Sequence, residues 1–387
     1  MPSGLRFYRI KVLKEKRLFF LYPNPILCIS SKFFKKEVTP MGRYVAKRCF
    51  YMLAVFILLT FILFNLYQLM PANRAYTDAK TELNSIKNSI SASERDTKFE
   101  ELYLKYQRMY GTDTDNNVIL YLRWLGLAPF YDGELNGIFQ GNFGYSYQYA
   151  APVVTVVGPA LRNSMLIGLV SEIAVLGITI PLGIKCAVKK GSRFDRGVQV
   201  FSLIGFSTPS FIIYILFIVF FCSILGWFPV SGMKTPGSTL TGWANAKDVL
   251  WHITLPTICL VFSSLASITR ITRASMIDAL SLDCIRTARA KGLREKAVIY
   301  SHAWRNALVP LVSIIVGGFF GIISGAMIME SMFGFKGMGQ MLLSATLNAD
   351  YDLIMFLQVL YTFIGLFANI VIDLCYGLVD PRVRISK

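Results

Sequence analysis

SLDCIRTARAKGLREKAVIYSHAWRNALVP, residues 281–310, is a cationic stretch standing between two long apolar runs. Arg286, Arg289, Lys291, Arg294, Lys296 and Arg305 make it far too polar to lie in a membrane interior. Asp283 fits the position before a helix, where a short acid caps free N–H groups. Arg289 and Lys291 then fall in the last turn, where cations suit the carbonyl end of the helix dipole. Gly292 fits the next position, where the chain turns left-handed. The pattern predicts a helix of about two turns, punctuated at both ends. Cys284, Ala288 and Gly292 recur every fourth residue as a strip of small side chains that lets another surface come close. A second helix follows, with Ala297, Ser301, Trp304 and Leu308 on one side. Spacing alone leaves two readings open. One is a basic loop resting on lipid headgroups; the other is a short helix shaped to dock into a partner protein.

Outward from this stretch the chain is apolar. Of its 387 residues 54% are hydrophobic and only 16% charged, and the mean hydropathy is +0.50. Soluble domains carry about 25% charged residues. Runs long enough to cross a bilayer, which takes about 20 residues, stand at Cys49–Met70 and at about 164–187, 198–227, 255–276, 308–329 and 353–379. Six transmembrane helices are expected. Arg270 and Arg273, near the end of the fourth, are read as its cytoplasmic end, with stems reaching to the interface.

The formal charge is +17, from 40 Lys and Arg against 23 Asp and Glu. Such an excess serves nucleic-acid binding or membrane orientation, and placement decides between them. With the N-terminus inside, the inner segments hold Arg43, Lys47 and Arg48, then Lys189, Lys190, Arg193 and Arg196, then the 281–310 stretch, then Arg382, Arg384 and Lys387. The 71–158 loop falls outside with eight basic and ten acidic residues. The excess is spread over inner loops, which excludes a nucleic-acid surface. Within the outer loop, Leu83, Ile86 and Ile90, and Phe99, Leu102, Tyr106 and Met109, repeat at helical spacing. They predict two amphipathic helices, the second capped by Ser93 or Asp96, followed by an aromatic-rich stretch from Tyr121 to Tyr149. These helices serve either as a cap on the bundle or as a docking surface. Residues 1–40 are basic, and their apolar piece is broken by Pro23 and Pro25. Met41 begins a second start, so 1–40 is expected to be a dispensable or untranslated extension.

Chemistry is sparse. The seven cysteines show no metal spacing, and His252 and His302 are the only histidines. No phosphate-binding loop signature occurs. Glu172 and Asp373 lie within spans, where an ionisable group marks a functional candidate, and Pro209 interrupts the third span. These three are the candidates for a translocation path.

The 283–310 segment resembles the cytoplasmic "EAA" loop of permease subunits in binding-protein-dependent ABC importers. It is most similar to the B-type subunit of the dipeptide/oligopeptide/nickel permease family. Supporting pieces stand in order: Met41-Gly-Arg-Tyr, Tyr121-Leu-Arg-Trp-Leu, Gly141-Asn-Phe-Gly-Tyr-Ser, Ile180-Pro-Leu-Gly at the close of the second span, Ser207-Thr-Pro-Ser-Phe, Glu330 to Gly339 and Val379-Asp-Pro-Arg. The 78–108 region is longer and more charged than the family pattern, and 1–40 has no counterpart in it.

The resemblance implies an all-α polytopic protein with the type I ABC importer permease fold. Its parts would be a first span at 41–70, an extracytoplasmic helical insertion at 71–158, a core at 159–379 with a coupling loop at 277–307, and a tail at 380–387. It implies a non-enzymatic subunit of a peptide importer in the prokaryotic cell membrane, with both termini cytoplasmic. Expected partners are a second permease subunit, two ATPase subunits that bind ATP and magnesium, and an outer solute-binding protein. Asp283, Arg286, Thr287, Ala288, Arg289, Lys291, Gly292 and Leu293 would form the helix that meets the ATPase. Nickel or another small solute is the alternative cargo. A proton-coupled carrier using Glu172 and Asp373 is the rival class, and it would need internal repeats, which the sequence lacks.

Overall fold

The computed structural model describes residues 41–69, 74–86 and 91–379. Residues 1–40, the tail from 380 and Ile90 lie outside the described residues, and so do the expectations placed on them.

Helix α1 (Met41–Gln68) has no charged residue after Arg48. Beyond it lie α2 (Arg74–Ile86), which buries Ala75 and Ala79 and holds Leu83 and Ile86 of the first expected helix only near its end, and α3 (Arg95–Met109), the second helix expected from the spacing. Glu82 accepts hydrogen bonds from Tyr106 (2.6 Å) and Lys105 (3.2 Å), and one turn away Asp78 accepts from Tyr110 (2.5 Å). Neither Ser93 nor Asp96 caps α3. Its N-cap residue is Glu94, without a side-chain hydrogen bond, because a 3-10 turn at Ala92–Glu94 feeds directly into the helix. Helix α4 (Asn117–Leu125) is capped by Asn116, which accepts from Val118 and Ile119 N–H at 3.0 and 3.4 Å. A two-residue antiparallel ribbon, β1 (Tyr145–Ser146) with β2 (Ala151–Pro152), leads into the core.

The core begins with α5 (Val153–Val188), which passes through Pro181 and so does not close at Ile180–Gly183 as expected. Helix α6 (Arg193–Ser207) and α7 (Ser210–Phe217, wound on as π turns to Ile224) replace the single third span. They meet at 100°. Proline pushes the residue before it out of the helical region, and Thr208 is accordingly extended (φ −92°, ψ 126°). Next come α8 (Gly242–Leu280), α9 (Asp283–Ala290) and α10 (Glu295–Ala297). The last continues through π turns at Val298–Ala303 into α11 (Trp304–Ser324). The fifth span stops at Ser324 rather than Met329, because Gly325 turns left-handed (φ +72°). Short α12 (Met327–Met332) and α13 (Met338–Leu347) precede α14 (Tyr351–Val379).

Five helices are long and apolar enough to cross a membrane, and six spans result if the bent α6–α7 pair counts as one. That pair does join the two ends of the bundle. Asp195 at its start binds Arg273 of α8, whereas Cys222 near its end packs with Phe333 and Phe335. The central contact is α5 against α8. Gly183 makes it possible: a Cβ there would sit 2.6 Å from Thr272 Cβ. One end of the bundle gathers Arg48, the 189–192 turn, α9 and Asp373. The other gathers α2–α4, the ribbon and the segments around 226–241 and 325–350. Helix α4 reaches further in than a loop element would. The Tyr121 hydroxyl lies 2.8 Å from Thr60 Oγ1, well inside the apolar length of α1.

Candidate functional site

The short helix expected in the cationic stretch is present as α9, at the end of the bundle that also holds Lys189, Lys190, Arg193 and Arg196. Asp283 is its first helical residue, not its cap. The N-cap position falls on Leu282, because the chain leaves α8 through a tight turn (Ser281 N–H to Asp278 O, 3.1 Å). Asp283 still sits in the first turn, where its charge suits the dipole. The other end is a Schellman stop. Gly292 N–H donates to Arg289 O at 2.9 Å and Leu293 N–H to Ala288 O at 3.3 Å. Lys291 is the C-cap residue, and Gly292 follows in the left-handed conformation (φ +73°).

Burial divides the eight expected contact residues. Ala288 is 6% exposed and packs with Ile285 against Val298, Ile299, Ala303, Met276 and Ala279. Ala288 and half-buried Cys284 therefore let α9 settle onto its own chain, whereas Gly292 of the strip stays outside, and Ala288 is removed from any outer contact. Asp283, Arg286, Thr287, Arg289, Lys291, Gly292 and Leu293 remain exposed. Arg286 leans on Asp283 at 3.2 Å. Arg289 binds Glu295 through Nε at 3.2 Å and Nη2 at 2.7 Å, which raises the guanidinium above its ordinary pKa. That fork ties α9 to α10 and onward to α11. The arrangement is a stiff, capped element with a cationic outer face, seated on the ends of α5, α8 and α11.

The path candidates separate. Asp373 is paired with Arg48 of α1 at 3.0 Å, so its charge is met by a neighbouring helix. Pro209 marks the α6–α7 bend, with its ring exposed. Glu172 lies against Gly318 of α11, where a Cβ would come within 2.3 Å of Oε1. Among the described residues its carboxylate forms no hydrogen bond or ion pair. Ser171 bonds Thr257 instead (3.0 Å), and the Ser202 hydroxyl is buried without a partner among the described residues.

Two organising carboxylates carried no signal strong enough to be singled out. Asp195 is held by Arg273, which is not a snorkelling end residue but a bidentate partner. At the opposite end Glu330, 1% exposed, accepts from Ser164 Oγ (2.7 Å), Ala326 N–H (3.2 Å) and Gln340 N–H (3.0 Å). Its place in the Glu330–Gly339 piece was visible, but its side-chain partner Ser164 is far away in sequence.

A polytopic helical bundle with a stiff, capped loop helix at its basic end is the architecture of a membrane transport subunit. Residues 179–385 match the family described as "Binding-protein-dependent transport system inner membrane component", and the chain belongs to that family. It is 31% identical over 345 residues to the oligopeptide transport system permease protein AppB of Bacillus subtilis, covering 89% of this chain and all of that protein. It is 37% identical over 246 residues to the inner membrane ABC transporter permease protein YejB of Escherichia coli O157:H7, covering 62% and 68%. A solved MetNI methionine ABC transporter matches 59% of this chain and 97% of its own at 16% identity, with a TM-score of 0.45. Its family and its long apolar helices make the chain a multi-pass inner-membrane permease of a binding-protein-dependent ABC importer.

Proposed function

We propose that this permease carries oligopeptides or dipeptides, delivered by a solute-binding protein and driven by two ATPase subunits. The cargo reading rests on the names of its relatives, several of which are oligopeptide or peptide permeases. The coupling reading rests on one observation: α9 is rigidly capped, fixed by the Arg289–Glu295 fork, and presents Asp283, Arg286 and Thr287 outward. An ATPase moving against that face displaces the ends of α5, α8 and α11 as one body. The basic end then faces the cytoplasm, as the positive-inside rule requires, and both termini with it. A second, different permease subunit completes the path. ATP and magnesium belong to the ATPases, and this chain binds neither. Glu172, unmatched among the described residues, faces that path.

The test is uptake into vesicles holding the purified permease pair, its ATPases and its binding protein. ATP-dependent accumulation of labelled di- to pentapeptides, with none of nickel, is the expected result. Nickel uptake without peptide uptake would replace the cargo reading. Uptake that follows a proton gradient without ATP would end the ATP-driven reading.

A further inference from the structure

A cavity of about 640 Å³ lies between α1, α4 and α14, beneath the 109–145 segment. Its walls change character along their length. Toward the bundle middle it is lined by Phe56, Val359 and Phe363, and Phe56 and Phe363 close that end edge to face (ring centroids 5.9 Å apart). Toward the α2–α4 end it is lined by Arg74, Arg123 and Asp352. From Phe56 to Gln68 the α1 wall runs about 18 Å, at about 1.5 Å per residue. One leaflet of a bilayer's hydrocarbon is about 15 Å deep. The cavity wall is therefore about as long as one leaflet is deep.

We infer that this cavity is a phospholipid site: one acyl chain lies along Val359 and Phe363, and the phosphate sits at Arg74 and Arg123. The apolar end offers an extended peptide nothing with which to satisfy its backbone groups, a heavy cost at this depth. An acyl chain makes no such demand. The guanidiniums have donors to give. Arg74 uses Nε on Tyr147 and Nη1 on Asp352, and Arg123 uses Nε on Pro129 O and Nη1 on Gly111 O and Asp113. Among the described residues each keeps its Nη2 donors, out of the five N–H groups an arginine carries. Those donors suit a phosphate. A bound lipid would also explain how α4 stays sunk beside α1 with Val118 and Ile119 exposed: it forms the outer wall of a filled slot.

The test uses the full chain within its purified importer complex, in mild detergent, by native mass spectrometry. The expected result is a phospholipid that survives detergent removal, and one fewer lipid per complex in Val359→Trp, which fills the slot. A wild-type complex carrying no lipid, or equal lipid in a Val359→Trp complex that assembles, would overturn the inference. If that variant fails to assemble, Trp124 decides, because it lines the cavity. With the other four tryptophans replaced by Phe, complexes from membranes fed brominated phospholipid are moved into lipid-free detergent. Persistent quenching of Trp124 supports the site. Full recovery of its fluorescence shows a slot that is empty or filled by protein, and refutes it.

Discussion

Arg273 of α8 grips Asp195 at the start of α6 with two nitrogens, Nε at 2.6 Å and Nη2 at 2.8 Å. Gly191 N–H adds a third bond to the same carboxylate at 2.9 Å, and the Asp195 side chain is 3% exposed. This fixes the turn between α5 and α6 to the helix that runs on into α9. Removing the cation strands a buried charge, and breaking such a pair costs about 3–5 kcal/mol. Arg273→Ala is expected to lower the unfolding temperature and the yield of assembled complex sharply. Adding Asp195→Ala is expected to restore part of the loss, because the stranded charge goes with it. Thermal unfolding of the two single variants and the double variant checks this.

Gly292 offers a cleaner probe of α9. Its φ is +73°, and among the described residues a Cβ there meets nothing within 4 Å. Asn tolerates this backbone better than most residues, so Gly292→Asn isolates the conformational demand. Gly292→Asp adds a negative charge to a face meant for a partner. Both are expected to insert in the membrane at normal levels. Transport is expected to survive in the Asn variant and to uncouple from ATP hydrolysis in the Asp variant, read as peptide accumulated per ATP consumed.

Glu330 braces the opposite end by binding Ser164, Ala326 and Gln340. Glu330→Ala leaves two backbone N–H groups without their acceptor. An unsatisfied buried donor costs about 1–3 kcal/mol. Ser164→Ala, which frees Met338 N–H (2.7 Å to Ser164 Oγ), is expected to cost less than Glu330→Ala. Chemical unfolding of both variants gives the order.

The two intramembrane acids are expected to part company. Asp373→Asn loosens α14 from Arg48 and leaves transport close to normal. Glu172→Gln keeps the fold, since no partner among the described residues is lost. It is expected to slow uptake roughly ten-fold, the equivalent of about 1.4 kcal/mol. Initial uptake rates at equal membrane content separate them.

The α2–α3 pair carries a pH dependence with a definite sign. The hydrogen bond from Tyr106 holds the Glu82 carboxyl below its ordinary range and raises the Tyr106 phenol to about 12. The lowered acid contributes stability above its unfolded value of about 4.3, lost as pH falls through the folded value. The raised phenol contributes stability below about 10, lost as pH rises through about 12. The stability difference between wild type and Tyr106→Phe is therefore expected at pH 7 and is expected to shrink at pH 3.

Local signals carried most of the fold. Uninterrupted apolar length revealed the spans, and i, i+3, i+7 spacing revealed α3. The stop at Gly292 was legible because left-handed backbone nearly requires glycine. What failed was whatever depends on a distant partner. The Cys284–Ala288 strip could serve an outer or an inner neighbour, and only packing on Val298 and Ala303 decides for the inner one. Asp373 and Arg273 look like exposed or orphan charges until Arg48 and Asp195 stand beside them. The break at Pro209 was marked in sequence, but not its 100° size, which the packing of α7 against α8 and α12 accompanies.

The central claim is that the outward face of α9 meets an ATPase. Photo-crosslinking tests it most directly, with a photoreactive residue at position 286 or 290 of the full chain in the assembled importer, and at Val118, exposed at the far end of the bundle, as the control. Crosslinks to the ATPase from 286 and 290, weakened or strengthened by ATP, and none from 118, are the predicted result. No ATPase adduct from either α9 position in a complex that transports would contradict the account.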